Sequence, residues 1–208
     1  MSKILLISAL IFVSPTVPPP AIDEHITSNN DRFAVFAGGC FWGVESIFEH
    51  VKGVKKVTSG YSGGTAATAK YDIVSTGKTG HAESVQVVYD PSEVTYGQLM
   101  QIFFSVAHDP TQLNRQGPDV GPEYRSVLFY ASAEQQRIAQ AYIDQLTKAK
   151  VFGKKIVTEV VPLDVFYPAE AYHQGYAARH PTDLYIVIND APKVERLRQQ
   201  FAQMYRGR

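Results

Sequence analysis

Cysteine is all but missing from this chain: among 208 residues there is one, Cys40. A lone cysteine closes no intramolecular disulfide and assembles no multi-cysteine zinc site, so the fold rests on packing. Net charge is missing as well. Twenty basic side chains cancel twenty acidic ones, which removes the global field that would gather nucleic acid or an anionic membrane. No apolar stretch reaches the roughly 20 residues that a membrane-spanning helix needs. Tryptophan is as scarce as cysteine, and the one tryptophan, Trp42, lies two residues from it.

What is present fits one globular domain. The chain is 45% hydrophobic and 19% charged, long enough to bury roughly two-thirds of its unfolded surface. Lys3 followed by the apolar run Ile4 to Val13 reads as a signal peptide, and the proline-rich stretch to Asp31 as a linker without structure of its own. Residues 1–31 are therefore expected to be leader and linker, and 32–208 the domain. Export to the periplasm or exterior is the expectation, with an uncleaved tether or a cytoplasmic tail as alternatives.

Within the domain, Phe33 to Ala37 reads as a buried strand stopped by Gly38-Gly39, and Phe41, Val44, Phe48 and Val51 recur at helical spacing up to Gly53. Strands are expected at 54–62, 83–89, 124–130, 155–163 and 184–188. Helices are expected from the Thr95 cap to Ala107, from Ser132 with Gln135 to Lys150, at 169–179, and from Asp190-Ala191-Pro192 onward, with Val194, Leu197, Phe201 and Met204 inward. Residues 108–123, with three prolines and two glycines, form a long loop of the kind that carries function. Alternating strands and helices without a repeat give an α/β or α+β two-layer sandwich with a mixed central sheet and helices packed on it.

Cys40 falls where a strand turns into a helix. Free backbone N–H groups there favour thiolate, and Phe41 and Trp42 offer apolar walls; the same spacing also fits a small buried hydrophobe. Glu83 opens a strand after Gly80-His81-Ala82, Tyr61 sits among glycines, and Asp119 and Tyr124 precede a strand. Each also has an ordinary surface reading. His81, His108 and His173 are too scattered to argue for a metal.

Taken together these segments resemble a known family. Gly39-Cys40-Phe41-Trp42-Gly43, Gly60-Tyr61-Ser62-Gly63-Gly64, Thr79-Gly80-His81-Ala82-Glu83, His108-Asp109-Pro110-Thr111-Gln112, Arg115-Gln116-Gly117-Pro118-Asp119 and Tyr124-Arg125-Ser126 are similar to the motifs of peptide methionine sulfoxide reductases of the A type. They run in the family's order from about Phe33 to Pro181. The resemblance implies that Cys40 attacks the sulfur of the S-epimer of methionine sulfoxide, free or in a protein, and becomes a sulfenic acid. It also implies that Glu83 is the acid, that Tyr61 and Tyr124 bond the sulfoxide oxygen, that Asp119 orders the polar side, and that Phe41 and Trp42 hold the S-methyl group. No metal, flavin or nicotinamide is implied. Many relatives carry further cysteines toward the C-terminus; this chain has none after Cys40. An external thiol must then restore it: thioredoxin, glutaredoxin with glutathione, or a periplasmic dithiol protein. A monomer without nucleic-acid partners is expected. A cysteine peroxidase and a non-catalytic binder of oxidised peptides are the competing classes. Tyr172-His173-Gln174 falls in a stretch resembling the family and receives no role from the sequence.

Overall fold

The computed structural model describes residues 17–26 and 30–207. The expected leader, Met1 to Val13, lies outside the described residues; among those described, no helix is long and apolar enough to cross a membrane.

In chain order, β1 (Arg32–Gly38) leads into α1 (Phe41–Glu49), followed by β2 (Val54–Ser62), the single turn α2 (Tyr71–Val74), β3 (Ala82–Tyr89) and α3 (Tyr96–Ile102). A π-helical turn, Phe103–Ala107, extends α3. Then come β4 (Arg115–Gln116), β5 (Asp119–Val120), β6 (Ser126–Tyr130), α4 (Ala133–Lys148), β7 (Glu159–Pro162), β8 (Phe166–Pro168), α5 (Tyr176–Arg179) and α6 (Ala191–Gln200). Six strands form one mixed sheet in the order β7-β6-β1-β3-β2-β8. The β6–β7 pair is parallel and the other four pairs are antiparallel.

The continuous apolar run of β1 is explained by its central place, since a strand covered on both faces cannot alternate with polar residues. Ala34 and Phe36 enter the main core, while Val35 and Ala37 join a smaller cluster with Val127 and Phe129 on the other face. Phe36 stacks on Phe48 of α1 at 5.1 Å and on Phe103 at 5.2 Å, so one aromatic ring couples the sheet to two helices. Such offset pairs add about 1 kcal/mol beyond their burial.

Local signals worked where caps are explicit. Thr95 and Gln98 form the reciprocal capping box of α3. Ser132 caps α4 through Gln135 N–H, while the Gln135 side chain reaches Ala131 N–H.

The strand expected at 155–163 is formed only over Glu159–Pro162, and four further expectations change. Residues 184–188 are helical rather than extended. The β-branched run has strand propensity, but no free sheet edge receives it; Leu184 and Ile188 are exposed, and Val187 N–H closes a helical bond to the Asp183 carbonyl. The helix expected at 169–179 shrinks to α5, preceded by turns. β8 was not foreseen, being three residues ending in a proline at a sheet edge.

The fourth change concerns the expected linker, whose residues 17–26 are firmly docked. A proline segment has few donors but free carbonyls, and α3 and α4 supply the donors. Gln101 reaches Val17 (2.8 Å), the Tyr142 hydroxyl reaches Pro18 (2.6 Å) and Gln145 reaches Pro19 (2.9 Å). Asp23 then accepts Gly97 N–H (2.8 Å). Glu24 accepts Tyr96 N–H (2.8 Å) and pairs with Arg32 at 2.6 Å. This strap ties the start of α3 to β1.

Candidate active site

The strand-to-helix turn at Cys40 depends on Gly39. Its φ of +92° and the Gln116 side chain, 2.6 Å from where a Cβ would stand, exclude other residues. Cys40 is the N-cap of α1 and 8% exposed. The first N–H of α1, from Phe41, is donated to Glu83 Oε2 at 3.0 Å. Glu83 is 4% exposed and lies opposite Tyr61 in the β2–β3 ladder. The residue that follows Cys40 is thus tied to the Glu83 carboxyl through its backbone N–H.

Burial pushes the Glu83 carboxyl up to about 8, and the nearby Asp119 and Glu123 carboxylates add to this against the opposing Phe41 hydrogen bond. Glu83 is therefore mostly neutral at pH 7 and can donate a proton. Cys40 behaves differently from the sequence expectation of a favoured thiolate. Burial raises the thiol well above its ordinary range, and Glu83, Asp190 and Asp119 raise it further; the Trp42 backbone N–H, which hydrogen-bonds the sulfur from the first turn of α1, opposes them. Desolvation and three carboxyl groups outweigh the helix terminus, and the resting residue is a thiol.

Phe41 is buried against Tyr61 (ring centroids 5.8 Å) and His173 (4.9 Å). Trp42 is partly buried and stacks face to face on Tyr176 at 3.8 Å, with its edge toward Tyr185 at 6.0 Å. Its indole N–H is donated to His173 Nδ1 at 3.1 Å. Asp119, on the β4–β5 hairpin, accepts the Tyr185 hydroxyl, and burial raises its carboxyl despite this bond and Lys193. Tyr124 lies in the field of Glu83, Asp119 and Cys40, with burial raising its phenol above the usual range.

Tyr61 is placed otherwise than the sequence reading required. Its ring is fully buried and its hydroxyl is donated to Glu170 Oε2 at 3.0 Å. Tyr71, which was not singled out, senses Glu83 and then Cys40 after burial, in that order, and is only partly buried. Its sequence context, Thr68-Ala69-Lys70-Tyr71-Asp72, has no glycine to mark it as a site segment. Asp190 was missed for a similar reason, since it reads as a helix-start residue. It is 1% exposed, pairs with Lys193 at 3.2 Å, and packs on the Cα of Gly43, where a Cβ would stand 2.1 Å from its Oδ1. Gly43 in the Cys40 motif is explained by this contact.

The histidines are committed elsewhere. His81 accepts Gly64 N–H and donates to the Thr65 carbonyl, and His108 bonds Phe103 and Ser126. Among the described residues no three His, Cys, Asp or Glu side chains converge as a metal set. The C-terminal tail is pinned to the opposite end of α1. Lys52 N–H reaches Met204, Arg206 N–H reaches His50, and the Arg206 guanidinium reaches Glu49 and Val54.

Comparison with known proteins follows the same outline. The family model described as peptide methionine sulfoxide reductase matches residues 32–205. Peptide methionine sulfoxide reductase MsrA 2 of Synechocystis is 54% identical over 192 residues, covering 91% of this chain and 90% of that protein. Its namesake in Mesorhizobium japonicum is 59% identical over 184 residues, 88% and 94% of the two chains. Among solved structures, reduced Mxr1 from Saccharomyces cerevisiae superposes with a TM-score of 0.65 at 35% identity, covering 73% of this chain and 87% of that one. Methionine sulfoxide reductase A of Corynebacterium diphtheriae gives 0.63 at 34% identity, with 74% and 77% covered.

Proposed function

The chain belongs to the peptide methionine sulfoxide reductase family and reduces methionine sulfoxide to methionine; from that premise we propose that it acts on the S-epimer, through a sulfenic acid on Cys40 that two external thiols remove. The observation that carries this reading is the Phe41 N–H bridge, which holds the buried, proton-bearing Glu83 beside the nucleophile.

In this reading the S-methyl group rests against Phe41 and Trp42 and the sulfoxide oxygen faces Glu83, with Tyr124 and Tyr71 as hydrogen-bond donors. Glu83 gives its proton to that oxygen, which makes the sulfur electrophilic. Cys40 sulfur bonds to the substrate sulfur, and its thiol proton passes to the Glu83 carboxylate, restoring the acid. The substrate's sulfur–oxygen bond and the new sulfur–sulfur bond then break as the oxygen, with its one proton, bonds to Cys40 sulfur, leaving Cys40 sulfenic acid and the methionine thioether. An incoming thiol then forms a disulfide with Cys40 and expels water. A second thiol attacks that disulfide and frees Cys40, so two thiols supply the two electrons.

Both thiols come from outside, because the chain holds no second cysteine. Thioredoxin, glutaredoxin with glutathione, and a periplasmic dithiol protein fit that chemistry; oxidised proteins and free methionine sulfoxide are the substrates. Export by the Met1 to Val13 segment stays part of the proposal, and the N-terminal residue of the mature protein tests it. The activity itself is tested by turnover on S- and R-methionine sulfoxide with each reductant, and by trapping sulfenic acid with dimedone when no thiol is present. Preference for the R-epimer, or full activity in Cys40→Ser, overturns the proposal.

A further inference from the structure

The turn between β8 and α5 is far from Cys40 in sequence, yet its polar groups end on the site or its supports. Glu170 Oε2 accepts the Tyr61 hydroxyl and Oε1 accepts Tyr71 N–H at 2.9 Å. Gln174 accepts Ser59 N–H and donates to the Ser59 and Ala169 carbonyls. Gly175 N–H reaches Glu45 of α1 at 3.0 Å. His173 completes the set by accepting the Trp42 indole N–H at 3.1 Å.

The protonation of His173 follows from that bond. An Nδ1 that accepts leaves the proton of a neutral imidazole on Nε2, and Nε2 is buried with no hydrogen-bond partner among the described residues. The ring is 2% exposed and packed against Phe41 (4.9 Å), Tyr71 (4.6 Å) and Tyr172 (4.2 Å). Aromatic neighbours hold the imidazole, and the imidazole holds the indole. The stack of Trp42 on Tyr176 resists tilting of the two planes but not sliding of one over the other. A directional N–H···N bond fixes that remaining freedom.

We propose that His173 is a positioning residue of the sulfoxide pocket, whose Nδ1 locks the Trp42 indole in the place where it walls the substrate's S-methyl group. The proposal rests on the reading that Trp42 lines that pocket. The methyl group is present in both the bound sulfoxide and the transition state, so a loosened wall weakens both alike and raises KM with little change in kcat.

Trp42 is the only tryptophan, so the fluorescence of the free protein reports this contact without any substrate. His173→Asn keeps an acceptor near the Nδ1 position, His173→Gln moves it one carbon outward, and His173→Phe keeps the ring but removes the acceptor. With the proposal correct, the Gln and Phe variants show red-shifted emission and faster acrylamide quenching, and Asn matches the parent protein. In single-turnover reduction of S-methionine sulfoxide, the half-saturating concentration rises roughly three- to tenfold in Gln and Phe, as one lost hydrogen bond allows. The limiting rate stays within about twofold, as expected for uniform binding, and Asn restores the concentration dependence.

Unchanged fluorescence and half-saturation in His173→Phe overturn the proposal, as does a loss confined to the limiting rate. An equal loss in all three variants, in step with their thermal midpoints, shows a packing role only and also overturns it. Failure of the enzymatic reading appears instead as activity in Cys40→Ser, and the substrate-free fluorescence is independent of it.

Discussion

Replacing Glu83 with glutamine exchanges one carboxyl oxygen for an amide and leaves an acceptor for Phe41 N–H, so the hydrogen bond survives while the proton is lost. The folded protein holds this carboxyl up to about 8 against an ordinary value of 4.5. At pH 7 the unfolded chain is ionised and the folded chain mostly is not. The gap of roughly 2.5 pH units, at about 1.4 kcal/mol each, makes Glu83 a destabilising residue by about 3 kcal/mol. Below about pH 4 both states are protonated and the penalty disappears; it grows from pH 4.5 to 8 and is constant above. Glu83→Gln is thus expected to raise the unfolding free energy in urea at pH 7 by about that amount and to leave it unchanged near pH 4. Methionine formation falls by about 100-fold or more, the usual weight of a positioned acid. A variant no more stable than the parent at pH 7, or a gain equally large at pH 4, refutes the picture of a neutral acid held at a cost to the fold.

Tyr71→Phe should lower sulfoxide reduction by about tenfold with little change in unfolding midpoint. Tyr61→Phe should instead remove about 1–2 kcal/mol of stability by stripping a hydrogen bond from Glu170, read by urea titration. The alkylation rate of Cys40 by iodoacetamide should be at least about tenfold below that of a free thiol at pH 8, and climb only above pH 9, because the thiol is raised well above its ordinary range; a plateau near pH 7 contradicts this. Asp23→Ala removes the acceptor of Gly97 N–H at the head of α3 and should cost about 1 kcal/mol, or about 2–4 °C in thermal midpoint by calorimetry.

The sequence was most legible where structure is set by near neighbours. The apolar run of β1, the Thr95–Gln98 box and the glycine turn before Cys40 are local arrangements, and periodicity or capping chemistry reveals them. Motifs singled out Glu83, Asp119 and Tyr124, and the fold places all three within electrostatic reach of one another or of Cys40. The ionisation of Cys40 was misread because its neighbours arrive from β3, β5 and the residue before α6, and burial is not a local property. Tyr61 and Tyr71 share a residue type, but Tyr61 is fully buried with its hydroxyl on Glu170 while Tyr71 is partly buried and meets Glu170 through its backbone N–H, and neither burial nor partner is local in sequence. The helical path of 184–190 was hidden because strand propensity counts only where a sheet edge is open.

The three carboxyl groups facing Cys40 also bear on how long one molecule of this enzyme works. Peroxide attacks thiolate, and a sulfenic acid formed with no partner cysteine in the chain stands one oxidation from the sulfinic form that ordinary thiols cannot reverse. In the proposed cycle, a Cys40 kept protonated between turnovers meets fewer such accidents. If that protection counts, neutralising Asp190, whose charge helps hold the thiol protonated, should shorten the number of turnovers before inactivation under peroxide even where the initial rate is kept.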